Sequence, residues 1–231
     1  CFRTCDAITT PSQDLKNNLI KLYNLPEDKI TVIPNIVDTN HFMPMPRMKE
    51  DQPFTILHVG RFERAKGVIT LIKAFIEFAK IYSKCKLINV GQARGSSYEE
   101  CHELLKSADM IKKVKFTGFV SYEDLPKYYA DADVVVVASE IYESFSYTVA
   151  QAMACSKPVI ASNIGGIPET LDSGRLGLLF EPGNIDSLFE KLSYVYNNQV
   201  RDISKDARQY AVNNFSFEKL GAIYNDYYMC Q

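Results

Sequence analysis

Two cationic residues, Arg61 and Lys66, lie in the stretch HVGRFERAKG, directly after an apolar run that ends at Gly60. The run predicts a buried strand, Gly60 lets the backbone turn closely, and the apolar residues that recur after Lys66 at helical spacing predict a helix. Unpaired N–H groups and the dipole at the start of a helix favour an anion. Two cations beside such a helix start would suit a diphosphate, although a turn glycine with two solvated surface cations explains the stretch equally well.

A second set of polar residues lies in EIYESFSYTVAQAMACSKPVIAS, between predicted strands at residues 134–138 and 158–162. Glu143 stands in the loop before a predicted helix, and Gln151 stands about two turns into that helix. A carboxylate and an amide placed in this way can face one ligand and bind its hydroxyl groups, while free N–H groups at the helix start can bind a phosphate. An ordinary amphipathic helix with Gln151 in solvent is the alternative.

Short apolar strands alternate with helical patterns along most of the chain. The helical patterns lie between and after strand-like runs at residues 54–60, 86–91, 113–120, 133–139, 157–162 and 177–181. This alternation predicts parallel strands with right-handed crossovers, and hence an α/β fold with a Rossmann-like, doubly wound parallel sheet. Ligands of such sheets bind at the carboxyl ends of the strands, where Arg61, Lys66 and Glu143 all fall.

The amino-terminal part of the chain repeats this order of elements on a smaller scale. Residues 6–42, the first segment, read as strand, helix and strand, with Ser12 as the N-cap of a helix that ends near Tyr23. Three prolines then fall within MPMPRMKEDQP and stiffen the chain as in a linker. We expect the end of one domain, a linker and a main domain at residues 1–45, 46–53 and 54–231.

Composition and charge restrict the function classes. The 231 residues are 46% hydrophobic and 23% charged, so the chain can bury a core. A net charge of −2 argues against a nucleic-acid partner and against a broad surface for anionic membranes. We expect neither a membrane span nor a signal peptide. The six cysteines and three histidines are scattered, which predicts free thiols in a reducing, cytoplasmic compartment and no metal cluster.

Several motifs, in order along the chain, together resemble one family. HVGRFERAKGVITLIKAF, FTGFVSYEDLPKYYADADVVVVASEIYESFSYTVAQAMACSKPVIASNIGGIPETL and GLLFEPGN resemble the carboxyl-terminal domain of the retaining glycosyltransferases of family four, which have the GT-B fold. This resemblance runs from about Phe54 to the end of the chain. VIPNIVDTNHF resembles the segment that ends the family's amino-terminal domain, so residues 1–45 would be a remnant of that acceptor-binding domain.

The resemblance implies a role for each matching position. Arg61 and Lys66 would bind the diphosphate of a nucleotide-diphosphate sugar, and Glu143 would contact the hydroxyl groups of its sugar. The other positions that would bind this donor are Gly60, Phe119, Val120, Phe145, Ser146, Tyr147, Thr148 and Gln151.

Within that set the resemblance separates three parts of the donor. Phe119 and Val120 would line the base pocket, largely through their backbone. The N–H groups of Tyr147 and Thr148 would hold phosphate oxygens at the helix start. Gln151 would bind the ribose.

The chain departs from the family pattern at two positions. Gln151 replaces a glutamate, and its neutral oxygen predicts weaker donor binding, because charge-assisted hydrogen bonds are roughly twice as strong as neutral ones. Ser146 stands where glycine is frequent, and its small side chain still allows close backbone approach. The rest of the acceptor-binding domain, with the family's catalytic-site histidine, is expected to precede residue 1.

The resemblance extends to the helices after residue 200, which match the family's last helices that cross back to the amino-terminal domain. Their apolar side chains should cover the first segment, although they stand far from it in sequence. The side chains expected to do so are Tyr210, Phe215, Phe217, Leu220 and Tyr224.

Two hypotheses of different class follow. In the first, the chain is the donor-binding part of a retaining glycosyltransferase that acts on a polysaccharide, lipid or glycan acceptor. It would need no cofactor, and no divalent metal, because no DxD-like carboxylate pair stands at a strand end. In the second, the chain is a non-catalytic or degenerate nucleotide-sugar-binding module.

Other readings match less well. A nicotinamide-dependent dehydrogenase would need the GxGxxG loop that this chain lacks, and a GT-B epimerase fits the motifs less closely. UDP-linked and GDP-linked sugars both suit the motifs. Peripheral association of the whole protein with a membrane is compatible with this reading.

Overall fold

The computed structural model describes residues 5–48, 53–198 and 200–229. In this part of the chain the strands form two sheets, one of two strands and one of six, and both sheets are parallel.

The small sheet belongs to the first segment. Strand β1 (Ile8–Thr10) leads through helix α1 (Gln13–Tyr23) to strand β2 (Ile30–Val32), which pairs with β1. The Ser12 hydroxyl caps α1 by accepting a hydrogen bond from the Leu15 N–H at 3.2 Å. The predicted order of strand, helix and strand, with Ser12 as the N-cap, is therefore confirmed.

The main body alternates strands with helices, as the hydrophobic pattern predicts. Its elements are β3 (Phe54–Val59), α2 (Val68–Ile81), β4 (Cys85–Val90), α3 (Ser96–Ser107), β5 (Val114–Phe116), α4 (Leu125–Asp131), β6 (Val134–Val137), α5 (Tyr147–Ala154), β7 (Val159–Ser162), α6 (Ile167–Thr170), β8 (Leu178–Phe180), α7 (Ile185–Asn197), α8 (Arg201–Phe215) and α9 (Phe217–Met229).

The six-stranded sheet has the order β5-β4-β3-β6-β7-β8. The chain first builds outward from β3 through β4 to β5, and then returns to the other side of β3 to add β6, β7 and β8. In such a doubly wound sheet, the loops after the two strands at this reversal diverge and leave a crevice at their carboxyl ends. The crevice therefore lies between the ends of β3 and β6.

Both faces of the sheet are buried, which explains the nearly continuous apolar character of its strands. Leu57 of β3 packs in one core with Val149 of α5, whereas its neighbour Ile56 packs in the opposite core with Phe75 of α2. Alternate residues of a strand point to opposite faces, so each central strand contributes to both cores.

Strand β5 is shorter than the prediction, which extended it over residues 113–120. It ends at Phe116, and Gly118 adopts a φ of +72°. The Gly118 carbonyl accepts a hydrogen bond from the Gly91 N–H at 2.9 Å in an isolated antiparallel bridge. A left-handed glycine turns the chain out of the parallel register, which the hydrophobic pattern alone did not indicate.

The carboxyl-terminal helices return to the first segment, as predicted. The Val37 N–H donates to the Phe215 carbonyl at 2.8 Å. Arg208 of α8 donates from Nη1 to the carbonyls of Thr39 and Phe42 at 2.9 and 3.0 Å, and to the carbonyl of Ala154 at 2.9 Å. One guanidinium thus joins the first segment, α8 and the end of α5.

The predicted apolar cover is only partly correct. Phe215 and Leu220 are buried, and the Tyr224 hydroxyl lies 3.5 Å from the Ile33 carbonyl. Phe217, however, is 67% exposed, so it contributes little to this cover. Tyr210 is half-buried and packs edge-on against Phe215.

The first segment is also attached through the start of α1. The Glu169 carboxylate accepts hydrogen bonds from the backbone N–H groups of Gln13 and Asp14 at 2.7 and 2.6 Å. A carboxylate at a helix N-terminus satisfies unpaired N–H groups and opposes the positive end of the dipole.

The linker predicted at residues 46–53 lies partly outside the described residues, which omit 49–52. Its described part is bonded to the amino-terminal edge of the main sheet. Arg47 forms an ion pair with Asp133, and the Met48 N–H donates to the Asp131 carboxylate at 2.9 Å.

None of the described helices is both long enough and apolar enough to cross a bilayer. Cys85, Cys101 and Cys155 are buried free thiols, and burial raises the pKa of both Cys101 and Cys155 to about 12.

Candidate functional site

The two loops that border the crevice at the sheet reversal, after β3 and after β6, contact each other at its edge. Gly67, at the start of α2, adopts a φ of +66°, and a Cβ at this position would lie 1.7 Å from the Ala138 carbonyl oxygen after β6. The Glu140 N–H donates to the Ala65 carbonyl at 2.9 Å. The loop that carries the cations is therefore held directly against the loop that carries the carboxylates.

Lys66 and Glu143, predicted separately, meet in this crevice. The Lys66 ammonium lies 2.5 Å from Glu143 Oε1, and the two side chains are only 24% and 16% exposed. The Ser139 hydroxyl donates to the same carboxylate oxygen at 2.6 Å. An ion pair with this little solvent around it is screened far less than a surface pair.

A pair of glycines holds the backbone of Glu143 in place. The Gly166 N–H donates to the Glu143 carbonyl at 2.7 Å, and a Cβ on Gly165 would lie 2.3 Å from the same oxygen. The adjacent glycines after a predicted strand are the sequence signal that could have indicated this close approach.

Arg61 is not brought to Lys66. Its side chain is 72% exposed and forms an ion pair with Glu63 at 3.2 Å. Gly60 does lie at the rim of the crevice with a φ of +151°, and its N–H donates to the Val90 carbonyl at 2.9 Å. The arrangement thus has one enclosed cation and one cation on a solvated side chain.

The first turn of α5 lies against the end of β3. The Ser146 hydroxyl caps the helix by accepting from the Val149 N–H at 3.4 Å, and the Thr148 hydroxyl donates to the Val59 carbonyl at 3.2 Å. The N–H groups of Tyr147 and Thr148 precede the first intrahelical hydrogen bond, so the helix offers them no acceptor.

Phe145 belongs to the core rather than to the open crevice. Its ring is 7% exposed and packs edge-on against Phe215, with the ring centroids 5.5 Å apart. Tyr147, two residues later, is 51% exposed. A donor-binding role predicted for Phe145 is therefore limited to its backbone.

Gln151 is half-buried and bonded to the core. The hydroxyl of Tyr129, a fully buried residue of α4, donates to Gln151 Oε1 at 2.9 Å. Burial raises the pKa of Tyr129 well above its usual value, so the hydroxyl keeps its proton. The sequence left open the alternative that Gln151 lies wholly in solvent. Its contact with Tyr129 excludes that alternative.

Phe119 and Val120 follow β5, directly after the bridge that joins Gly118 to Gly91 at the end of β4. Phe119 is 79% exposed, whereas Val120 is half-buried against the core. Both line a concave surface of about 500 Å³ together with Thr117, Lys127 and Tyr128. A base pocket at this place stays a prediction.

A buried polar pair, His58 and Asn89, lies beneath the crevice. The two residues are direct neighbours on β3 and β4, and His58 Nδ1 lies 2.7 Å from Asn89 Oδ1. Burial lowers the pKa of His58 to about 4; the bond to Asn89 raises it in part, and the nearby Lys66 lowers it further. The imidazole is therefore neutral at pH 7. The sequence signal for this pair was a single polar residue, His58 or Asn89, within each of two apolar runs.

The buried histidine predicts a loss of stability in acid. Below pH 6.5 the unfolded chain takes up a proton at His58 that the folded chain accepts only near pH 4. The stabilisation present at neutral pH is therefore lost as the pH falls through this window. At pH 5 the loss should be about 2 kcal/mol in the free energy of unfolding.

Urea unfolding at pH 7 and pH 5 measures this loss. His58→Gln cannot take up the proton, so its pH dependence between these values should be smaller than that of the parent chain by about the same 2 kcal/mol. Equal pH dependence of the two proteins would contradict the assignment to His58.

In the described ranges, no group of three or more His, Cys, Asp or Glu side chains could hold a metal ion. The crevice contains groups that bind an anion and hydroxyl groups. They are the enclosed ammonium of Lys66, the carboxylate of Glu143 and the N–H groups at the start of α5.

Comparisons with protein families agree with this fold. Residues 44–214 match the family described as Glycosyl transferases group 1, and residues 1–41 match the family described as Glycosyltransferase Family 4. The first match spans most of the chain. The protein belongs to the group 1 glycosyl transferases, and the predicted Rossmann-like sheet of the GT-B type is confirmed.

Individual relatives agree with the family. An uncharacterized glycosyltransferase of Methanocaldococcus jannaschii, MJ1607, is 32% identical over 227 residues, which are 92% of this chain and 55% of that protein. Mannosylfructose-phosphate synthase of Agrobacterium fabrum is 32% identical over 203 residues, which are 81% of this chain and 44% of that protein. The chain thus spans about half the length of these curated relatives.

A solved structure shows the same fold. The structure of Anabaena Alr3699/HepE in complex with UDP matches with a TM-score of 0.91 and covers 99% of this chain and 65% of that chain. The sequence identity is 24%, so the likeness concerns the fold.

Proposed function

We propose that the whole protein is a glycosyltransferase that takes a sugar from a nucleotide-diphosphate sugar, and that this chain holds the donor-binding half. The observation that carries the proposal is the contact of Lys66 with Glu143 in the crevice between β3 and β6, beside the first turn of α5. Cation, carboxylate and helix start match the diphosphate, the sugar hydroxyls and the phosphate oxygens of one ligand.

The contact between Lys66 and Glu143 leaves each side chain with hydrogen-bonding capacity for a ligand. The Lys66 ammonium has three donor protons and uses one on Glu143, so that others remain for a phosphate. The Glu143 carboxylate has about four acceptor positions, of which Lys66 and Ser139 take two on Oε1. Oε2 is then left to accept hydrogen bonds from sugar hydroxyls.

Transition-state stabilisation follows from the same groups. Negative charge develops on the leaving nucleoside diphosphate, and preorganised donors aimed at such charge are usually the largest single contribution to catalysis. Lys66 and the N–H groups of Tyr147 and Thr148 supply these donors. Arg61 joins them when its solvated side chain turns from Glu63 to the diphosphate.

The reaction proposed is transfer with retention of anomeric configuration to a polysaccharide, lipid or glycan acceptor. In this proposal residues 1–45 end the acceptor-binding domain, 46–53 form the linker, and 54–231 form the donor domain. The switch between the two family matches, at residues 41 and 44, supports this division.

A second candidate function is donor binding without transfer. The neutral Gln151 favours it, because a neutral oxygen accepts a hydrogen bond more weakly than a carboxylate does. Arg61 favours it as well, because its exposed side chain is paired with Glu63. The enclosed pair of Lys66 and Glu143 favours the enzyme. The candidates differ in their product, since a binding module releases no nucleoside diphosphate from a bound donor.

A transfer assay with the whole protein separates the two candidates. Incubation with UDP-linked and GDP-linked sugars and a panel of glycan and lipid acceptors should release a nucleoside diphosphate. The new glycosidic bond, measured by the proton coupling at the anomeric carbon, should keep the configuration of the donor. Activity should persist in EDTA, because the proposed charge stabilisation comes from side chains and backbone.

Inversion of configuration would contradict the retaining mechanism. Loss of activity in EDTA that is restored by a divalent metal would contradict the metal-free stabilisation. Donor binding without release of nucleoside diphosphate, for every acceptor in the panel, would favour the binding module.

A further inference from the structure

The loop that carries Glu143 is bordered by the first segment as well as by the main sheet. Gly166 lies where the two meet, because a Cβ there would be 2.2 Å from the Ser144 carbonyl oxygen and 3.0 Å from Ser12 Cβ. The Gly166 N–H donates to the Glu143 carbonyl at 2.7 Å. Ser12, the N-cap of α1, therefore lies beside the short stretch of backbone that holds Glu143.

The residue before Glu143 contacts the same helix. Asn18 of α1 donates from Nδ2 to the Tyr142 hydroxyl at 3.4 Å and to Asp14 Oδ2 at 3.0 Å. Burial and a hydrogen bond to the Asp14 carboxylate raise the pKa of Tyr142 to about 12, so the hydroxyl keeps its proton and donates it to that carboxylate. Tyr142 is thus bonded to two side chains one turn apart on α1.

Glu169 fixes the start of α1 against the main body. Its carboxylate accepts from the backbone N–H groups of Gln13 and Asp14 at 2.7 and 2.6 Å. No residue of α1 is buried, whereas most residues of α2 are, so apolar packing holds α1 less firmly than it holds a helix of the main body. The polar contacts at the helix start therefore matter for its position.

We propose that α1 positions Glu143 for the sugar of the donor, with Tyr142 and Glu169 as the positioning residues. The first segment thereby takes part in sugar recognition, although residues 1–41 match a different family from residues 44–214. This proposal rests on the proposed function, in which Glu143 binds the sugar hydroxyls.

The loop needs such support because it has no regular structure of its own. Residues 138–146 form neither helix nor strand, so contacts from other elements determine where Glu143 lies. Hydrogen bonds weaken steeply when their distance and angle are wrong. Loss of the contacts to α1 therefore weakens the binding of the sugar. It leaves the binding of the diphosphate, which uses Lys66 and the start of α5.

Calorimetric titration of the chain with UDP, GDP and a panel of their sugars tests the proposal. The ratio of the dissociation constant of a nucleotide sugar to that of its nucleoside diphosphate reports the contribution of the sugar. Glu143→Gln identifies the donor whose ratio depends most on this carboxylate. For that donor, Tyr142→Phe and Glu169→Gln should each raise the ratio by about threefold or more, while the affinity for the nucleoside diphosphate stays within about twofold.

Glu218→Gln is the matched control for Glu169→Gln. Glu218 also joins the first segment to the main body, since its Oε1 accepts from Asn40 Nδ2 at 2.9 Å, but it does so through α9. This variant should leave the ratio unchanged. If Tyr142→Phe and Glu169→Gln, folded by urea unfolding, also leave the ratio unchanged, their contacts only attach the first segment and the proposal is overturned.

Double variants separate positioning from direct contact with the sugar. In Glu143→Gln, the further change Tyr142→Phe or Glu169→Gln should not raise the ratio again, because the group that these residues position is gone. A further rise would overturn their role as positioning residues. Absence of nucleotide binding, or a ratio that Glu143→Gln leaves unchanged for every donor, would contradict the proposed function and this proposal with it.

Discussion

Replacing Lys66 by alanine should weaken the binding of nucleoside diphosphates by about tenfold or more. Lys66 is the enclosed cation of the crevice, with only 24% of its side chain exposed, so its interaction with a phosphate is poorly screened. Hydrogen bonds to charged groups contribute on the order of 1.5–3 kcal/mol, which corresponds to at least a tenfold change in the dissociation constant. Calorimetric titration of the chain with UDP and GDP measures it.

Arg64 provides the matched control for this variant. It lies in the same turn, two residues before Lys66, but its side chain is 66% exposed and paired with Glu100. Arg64→Ala should leave nucleotide affinity within about twofold, because an exposed pair is worth only about 0–1 kcal/mol. Unchanged affinity in Lys66→Ala, with folding intact by urea unfolding, would remove Lys66 from the site.

Replacing Gly67 by alanine should destabilise the fold by about 3 kcal/mol or more. A left-handed φ costs a residue with a Cβ roughly 1–2 kcal/mol. The new Cβ would also lie 1.7 Å from the Ala138 carbonyl oxygen, so the start of α2 or the end of β6 must move. Effects of this size in single variants have few causes, and overpacking against backbone is one of them. Urea unfolding gives the free energy.

Gly118→Ala is the control that separates the effect of the steric clash in Gly67→Ala from the effect of backbone strain. Its φ of +72° is close to the +66° of Gly67, but a Cβ there would meet nothing within 4 Å. Gly118→Ala should therefore lose only about 1–2 kcal/mol, the strain of the left-handed conformation. Equal losses in the two variants would show that the loops after β3 and β6 do not pack closely.

The sequence predicted the fold wherever burial alone determines the pattern. Residues 134–137, four consecutive valines, form a central strand because both of its faces are covered. The rule that ligands bind at carboxyl ends of parallel strands placed Lys66 and Glu143 at the same edge of the sheet, and the structure brings the two side chains together although 77 positions separate them. The ion pair between them follows from their types once they are neighbours.

Features that depend on tertiary contacts were not predictable. The hydrophobic pattern does not say that Arg61 turns to Glu63 or that the ring of Phe145 meets Phe215, because both depend on the space left by distant elements. The pairing of His58 with Asn89 depends on the register of β3 on β4, which the sequence of either strand alone does not specify.

The decisive measurement is an amide NMR titration of the chain with UDP and GDP, which maps where a nucleoside diphosphate binds. The largest shifts should fall on the amides of Gly60, Tyr147 and Thr148, around the enclosed ammonium of Lys66. Shifts confined to the opposite edge of the sheet, where Arg47 and Lys157 line another concave surface, would contradict donor binding in the crevice between β3 and β6.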